Sequence, residues 1–200
     1  MEISTAAGPA RAEVDSVAAP KFLLVLTHGA GGGVTSADLM AARQAGLEAG
    51  GAVARVLQPY RVRGASAPGS PERQDAAWLE IIEALRAGHP GVPLVQGGRS
   101  NGARVACRTA KASGSAGVIA LAFPLHPPGK AHVPEKSRAG ELRSAGVPVL
   151  VVNGDRDAFG VPDEADADQV VVLKGETHSL SGHRAEIVNV ITTWLGKQPF

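Results

Sequence analysis

Cysteine occurs once in these 200 residues, at Cys107. A single thiol excludes an internal disulfide and any cysteine-based zinc cluster, and it suits a reducing compartment. Excess charge of either sign is also missing: the formal net charge is +1, and Lys and Arg are scattered along the chain. That distribution argues against nucleic acid or an anionic membrane as the main partner. No apolar run approaches the ~20 residues of a membrane span. The first 20 residues carry acidic side chains and lack the long apolar core of a signal peptide. The expectation is a cytoplasmic protein. There is no Walker A sequence and no HExxH, so neither a phosphate loop nor a zinc protease helix is expected. No metal site is expected.

Glycine is plentiful, with 25 residues, and apolar residues make up 44% of the chain, close to the globular average. Length and composition suit a single domain over residues 1–200, with 1–8 expected to fray. Short apolar runs alternate with amphipathic ones. Residues 22–28, 52–57, 92–97, 117–124, 147–153 and 169–174 read as strands, and residues 10–17 as a weaker edge strand. Between them, helices are predicted after Ser36, with Leu39, Met40 and Leu47 as the apolar stripe, and after Ser70. Further helices are predicted over 101–112 and 183–195, with a weaker one over 135–145. Strands apolar throughout and separated by helices predict an α/β fold. Its sheet should be mostly parallel, of six to eight strands, with helices on both faces.

One junction stands out. Gly98-Arg99-Ser100-Asn101-Gly102 fits G-x-S-x-G between an apolar strand and a helix. Such a turn is so tight that Cβ atoms two residues either side of the serine would collide with the opposite limb. It lifts the hydroxyl to the carboxyl edge of the sheet, where the helix N-terminus favours a developing oxyanion. A serine hydroxyl needs a base to act as a nucleophile. Chains with this elbow supply an acid and then a histidine after later strands. His178 is the predicted base, in the loop after the last strand. His183 is its competitor, at the start of the final helix. His89 lies at a helix end and His132 in a proline-flanked loop. Asp157, past the penultimate strand, is the predicted acid, with Asp155 more suited to capping its turn. Asp163, Asp166 and Asp168 read as a solvated loop. The predicted oxyanion donors are the backbone N–H of Asn101 and that of Ala30 or Gly31, in the glycine-rich "THGAGGG" after the first strong strand. His28 is expected to order that loop rather than to react.

These motifs carry a likeness. HGAGG, GRSNG, NGDRDAFG and GETHSL together resemble the α/β-hydrolase superfamily. With "FPLHPPGK" (123–130), they look like its small lidless branch near dienelactone hydrolase. The resemblance covers nearly the whole chain. It implies an eight-stranded sheet and cleavage of esters, thioesters or related acyl bonds, with no cofactor. Ser100 stands where dienelactone hydrolase has cysteine, so that enzyme's own substrate does not carry over. A small-molecule acyl substrate is the expected partner, and nothing signals an oligomeric state.

Only residues 125–146 separate two of the strands, too few for a large lid, so an open cleft is expected. Phe123, Leu125, His126 and Pro127 are expected to line it. Arg99 beside the serine either binds an anionic group of the substrate or pairs with a neighbouring loop. Tyr60, Arg61 and Arg63 could add to an anionic subsite, a solvated loop being the plainer expectation. Two rival readings follow. "HGAGGG" imitates a dinucleotide-binding turn but has Val34 where the third glycine belongs, and no acidic residue ends the next strand. A non-catalytic binding protein on the same fold is the other.

Overall fold

The computed structural model describes every residue except His132 and Phe200. Eight strands, β1 (Glu2–Ile3), β2 (Ala10–Asp15), β3 (Leu23–Thr27), β4 (Ala52–Leu57), β5 (Leu94–Arg99), β6 (Gly117–Leu121), β7 (Val149–Gly154) and β8 (Gln169–Leu173), form one sheet in the order β1-β2-β4-β3-β5-β6-β7-β8. The β1–β2 and β2–β4 pairings are antiparallel, and all others are parallel. The helices are α1 (Ala37–Glu48), α2 (Pro59–Val62), α3 (Pro71–Ala87), α4 (Asn101–Ser113), α5 (Ala139–Arg143) and α6 (Arg184–Leu195).

The apolar strands divide their side chains between two layers because successive residues point to opposite faces. Leu24, Leu26, Val95, Ile119, Leu121, Leu150 and Val152 meet α1 and α6 on one face. Leu23, Val25, Val56 and Leu94 meet α3 on the other, where Val118, Ala120, Val149 and Val151 meet α4 and α5. Burying each such Val or Leu side chain contributes roughly 1.5–3 kcal/mol. Gln96 is the polar member of β5, and its carboxamide is satisfied inside the core. It accepts from Trp78 Nε1 at 2.7 Å and donates to the Ala106 carbonyl at 2.9 Å.

Four expectations require correction. Residues 1–3 do not fray: Glu2 and Ile3 pair with Arg11 and Ala10, Ile3 is buried, and the Met1 amino group donates to the Ala12 carbonyl at 2.7 Å. Strand 10–15 is therefore covered on its outer side. The buried face of α1 is Leu39, Ala41, Ala42, Ala45 and Gly46, with Met40 and Leu47 half-buried. A Cβ on Gly46 would come within 2.8 Å of both Leu24 and Val53, so small residues let this helix lie close on the sheet. Ser36 does not cap α1; its hydroxyl donates to Asp38 at 2.6 Å, whereas Ser70 does accept from the Arg73 N–H. The weak helix at 135–145 is a 3-10 turn at Pro134–Lys136 followed by the short α5. No large lid rises between β6 and β7 among the described residues.

The parallel part of the sheet starts at β3, builds outward to β4 on one side, and returns past β3 to β5 on the other. The connections after β3 and β5 therefore diverge at the carboxyl edge and leave a crevice there, the usual place for a ligand in an open α/β sheet.

Candidate active site

Ser100 occupies that crevice. It joins β5 directly to α4 with φ 54° and ψ −117°, a backbone conformation that costs on the order of 1–3 kcal/mol for a residue with a side chain. Its N–H is tied to the Leu121 carbonyl at 2.9 Å, which helps hold the strained turn. The flanking glycines are needed, though not only for the turn itself. A Cβ on Gly98 would stand 2.7 Å from both the Gly102 backbone and the Thr27 carbonyl. One on Gly102 would stand 2.6 Å from the Thr27 carbonyl and 2.7 Å from that of His28. The elbow is thus wedged against the end of β3 as well as against its own opposite limb.

The structure brings three predicted side chains together. His178 Nε2 lies 2.9 Å from Ser100 Oγ, and His178 Nδ1 lies 2.8 Å from Asp157 Oδ2. An ionised carboxylate only accepts, so the imidazole carries its proton on Nδ1 and turns a lone pair on Nε2 toward the serine hydroxyl. The Asp157 carboxylate is fully buried and held by donors on both oxygens: Asn153 Nδ2 to Oδ2 at 3.3 Å and the Phe159 N–H to Oδ1 at 2.9 Å. The Phe159 ring packs on the imidazole with centroids 4.4 Å apart. Asp155 accepts from the Gly175 N–H at 2.7 Å and stays outside this group. His183 turns to Glu176, Nδ1 to Oε1 at 2.8 Å. His132 lies outside the described residues.

His28 is fully buried and holds the loop after β3. Its Nε2 accepts from the Gln58 N–H at 3.0 Å, so Nδ1 carries the proton and donates to the Gly29 carbonyl at 2.8 Å. Burial pulls its pKa below the ordinary histidine value and keeps it neutral. The loop it anchors brings Ala30 to the edge of the Ser100 cleft. Of the two alternatives for the second N–H donor, Ala30 borders this cleft. Gly31 follows it in a left-handed conformation, φ 70°. Asn101, as the first residue of α4, has a backbone N–H without an intrahelical acceptor and also borders the cleft.

Arg99 borders the cleft, but its guanidinium is engaged by protein. Nε forms an ion pair with the fully buried Asp38 carboxylate at 2.8 Å, and Nη2 donates to the His178 carbonyl at 2.8 Å. Burial raises the Asp38 pKa, against the opposing pull of Arg99. The expectation of a substrate-binding Arg99 thus gives way to its alternative: the side chain bridges the N-terminus of α1 to the histidine loop. Phe123 requires a plain correction. Its side chain is fully buried in the core beneath α4 and α5 and cannot line an open cleft. His126 is also buried, its N–H bound to the Phe159 carbonyl at 2.8 Å, and it supports the acid loop rather than the cleft wall. Pro124 and Pro128 border the cleft in their place. Tyr60 is buried, and burial pushes its phenol up to about 12. Arg61 donates to the Gly32 and Ala65 carbonyls, and Arg63 to that of Ala7, so neither serves the cleft. Cys107 is buried within α4, and burial pushes its thiol up, as expected of an inert residue.

Asn153, Asp38, Phe159 and Glu176 were not singled out as site residues from the sequence. Asn153 alone left a signal, as a polar residue ending an otherwise apolar strand. Among the described residues, no group of three or more His, Cys, Asp or Glu side chains could hold a metal ion, and no helix is long and apolar enough to cross a membrane.

Residues 20–186 match a family described as an alpha/beta hydrolase domain. No curated protein matches the sequence. Among solved structures, a serine hydrolase from Xanthomonas campestris, described as lacking a lid, superposes with a TM-score of 0.79 at 20% identity, covering 100% of this chain and 94% of that one. Est1E from Butyrivibrio proteoclasticus, solved with ferulic acid bound, gives 0.80 at 17% identity over 99% and 98% of the two chains. A serine hydrolase homologue from Coxiella burnetii gives 0.79 at 17% over 98% and 96%.

Proposed function

The chain belongs to the alpha/beta hydrolase family, and from that premise we propose that it is a serine hydrolase cleaving carboxylic ester, thioester or related acyl bonds. One observation carries the reading: the unbroken relay from Asp157 through both nitrogens of His178 to Ser100 Oγ, at 2.8 and 2.9 Å. Ser100 attacks the acyl carbonyl while His178 Nε2 takes the hydroxyl proton. Asp157 holds the ring in its tautomer and stabilises the imidazolium as it forms. The N–H groups of Asn101 and Ala30 receive the charge on the carbonyl oxygen, each such donor contributing about 3–4 kcal/mol to the transition state. His178 then protonates the leaving group, and water repeats the sequence on the acyl-enzyme. The cleft, about 320 Å³ and open to solvent, suits a small substrate. Apart from the substrate and water, every group these steps use is a side chain or backbone N–H of this chain, so the proposed reaction draws on no cofactor.

Labelling with a fluorophosphonate probe tests this directly. The intact protein should be modified and the Ser100→Ala variant should not. A native protein that resists the probe would favour a binding protein built on a hydrolase fold.

A further inference from the structure

The cleft beside Ser100 is lined by three arginines, Arg99, Arg104 and Arg138, and by no carboxylate among the described residues. Two of the three are neutralised from the far side. Arg99 is paired with Asp38. Arg104 holds Glu141 through both Nε and Nη2, at 2.8 and 2.6 Å. Arg138 has no carboxylate within ion-pair distance among the described residues. Its Nη1 donates to two backbone carbonyls, Pro124 at 3.1 Å and His126 at 3.2 Å, and its Nε and Nη2 bond to no described residue. A guanidinium pinned at one nitrogen has little freedom left to lose, and its other N–H groups still present a fork that fits a carboxylate. Behind the cleft, Arg108 is held by Asp75 and stands 3.7 Å from Glu141. Arg104 and Arg108 thus share the carboxylates of Asp75 and Glu141, and the buried Asp157 carboxylate is taken up by His178, which leaves Arg138 without one of its own among the described residues. Partial burial disfavours the charge on Arg138 most, and Arg104 and Arg108 push against it while Glu141 offsets part of that repulsion. A negative group in the cleft would relieve that repulsion.

We infer that Arg138 binds an anionic group of the substrate, so that the site takes esters or thioesters bearing a carboxylate. This deepens the hydrolase reading and rests on it for turnover, though not for binding. The carboxylate could belong to the acyl part or to the leaving group, and two substrate pairs separate these sources. On the acyl side, 4-nitrophenyl hemiglutarate is compared with 4-nitrophenyl valerate; on the leaving side, 4-butyryloxybenzoate with 4-butyryloxybenzamide. In one pair the anionic member should be preferred in kcat/KM by roughly ten- to a hundredfold, as expected of a charge-assisted hydrogen bond. The preference should shrink in 1 M salt. Arg138→Gln should bring the ratio close to one, and Arg138→Lys should recover part of it. A ratio within one variant does not depend on how much of that variant is folded. Equal turnover of both members in both pairs would overturn the inference, as would a preference that survives Arg138→Gln. Should no ester be turned over, the hydrolase reading falls, and titration calorimetry of glutarate on the intact protein decides the subsite. Saturable binding weakened about tenfold by Arg138→Gln supports it, and no binding overturns it.

Discussion

The histidines of two histidine–carboxylate pairs lie five residues apart in one loop. His178 meets Asp157 and His183 meets Glu176, both through Nδ1 at 2.8 Å. The pairs differ in what lies on the other side. His178 Nε2 faces the serine hydroxyl on the strained elbow, and its carboxylate is fully buried. His183 is the residue before α6, more exposed than His178, and its carboxylate serves the backbone. Glu176 accepts from the N–H groups of Ser181 and Gly182 at 3.2 and 2.6 Å. A histidine paired with a carboxylate is therefore not in itself a site. The third group decides, and here the carboxylate of the structural pair folds the loop that carries the histidine proposed as the base.

Breaking the two pairs in parallel should give very different results. Ser100→Ala or His178→Ala should lower ester turnover by on the order of 10³- to 10⁶-fold with the circular dichroism spectrum unchanged. His183→Ala should keep turnover within a few-fold of the native protein. If His183→Ala proved the more damaging change in that assay, the base would be misassigned. Asp157→Asn preserves shape but supports the wrong tautomer, and kcat should fall by roughly 10⁴-fold.

Arg99 sharpens the contrast, because only the His178 carbonyl is tied to the elbow side chain. Arg99→Ala should lower kcat by roughly 10- to 100-fold through misplacement of the imidazole. KM should change less, and Arg99→Lys should recover part of the loss. A change confined to KM would instead identify Arg99 as a substrate contact.

The smallest effect belongs to the structural pair. Glu176→Gln should lower Tm by about 2–4 °C, the equivalent of roughly 1 kcal/mol in a chain of this size. The difference should depend on pH. The bond from His183 holds the Glu176 pKa below its ordinary value, so its contribution is present above about 4.3 and fades as pH falls through the lowered value. The Glu176 bond raises the His183 pKa, so that contribution is complete below about 6.5 and fades as pH rises through the raised value. Thermal melts of both proteins should therefore differ most between about pH 4.5 and 6.5. A difference constant from pH 4 to 9 would show that the pair carries no linked charge.

Much of the fold was legible because it rests on local pattern. Residues 52–57 form a strand with the predicted bounds, and α6 begins one residue inside its predicted range. Apolar runs flanked by glycine and proline announce buried parallel strands whatever lies beside them. The N-terminal strand was not legible, since Glu2 and Ile3 are too few to show alternation and are held by pairing with β2. The stripe on α1 was legible only in part: Leu39 is buried and Leu47 packs against the core, but most of the contact face is alanine and glycine. Helix contact there is set by how closely backbone can approach backbone, which favours alanine and glycine over the larger Met40 and Leu47.

What the sequence determined by itself was the chemical inventory and its order: a serine between glycines after an apolar strand, an aspartate and a histidine after later ones, and a glycine-rich loop after the first strong strand. Those are local properties, written in neighbouring residues. Only the tertiary structure decided how far side chains reach and what else occupies them. It sent Phe123 into the core, gave Arg99 to Asp38 and the His178 carbonyl, and left Arg138 facing the cleft without a carboxylate. Ion pairing and burial depend on distances between segments far apart in the chain, 79 residues for Arg99 and His178, and no local pattern encodes such distances.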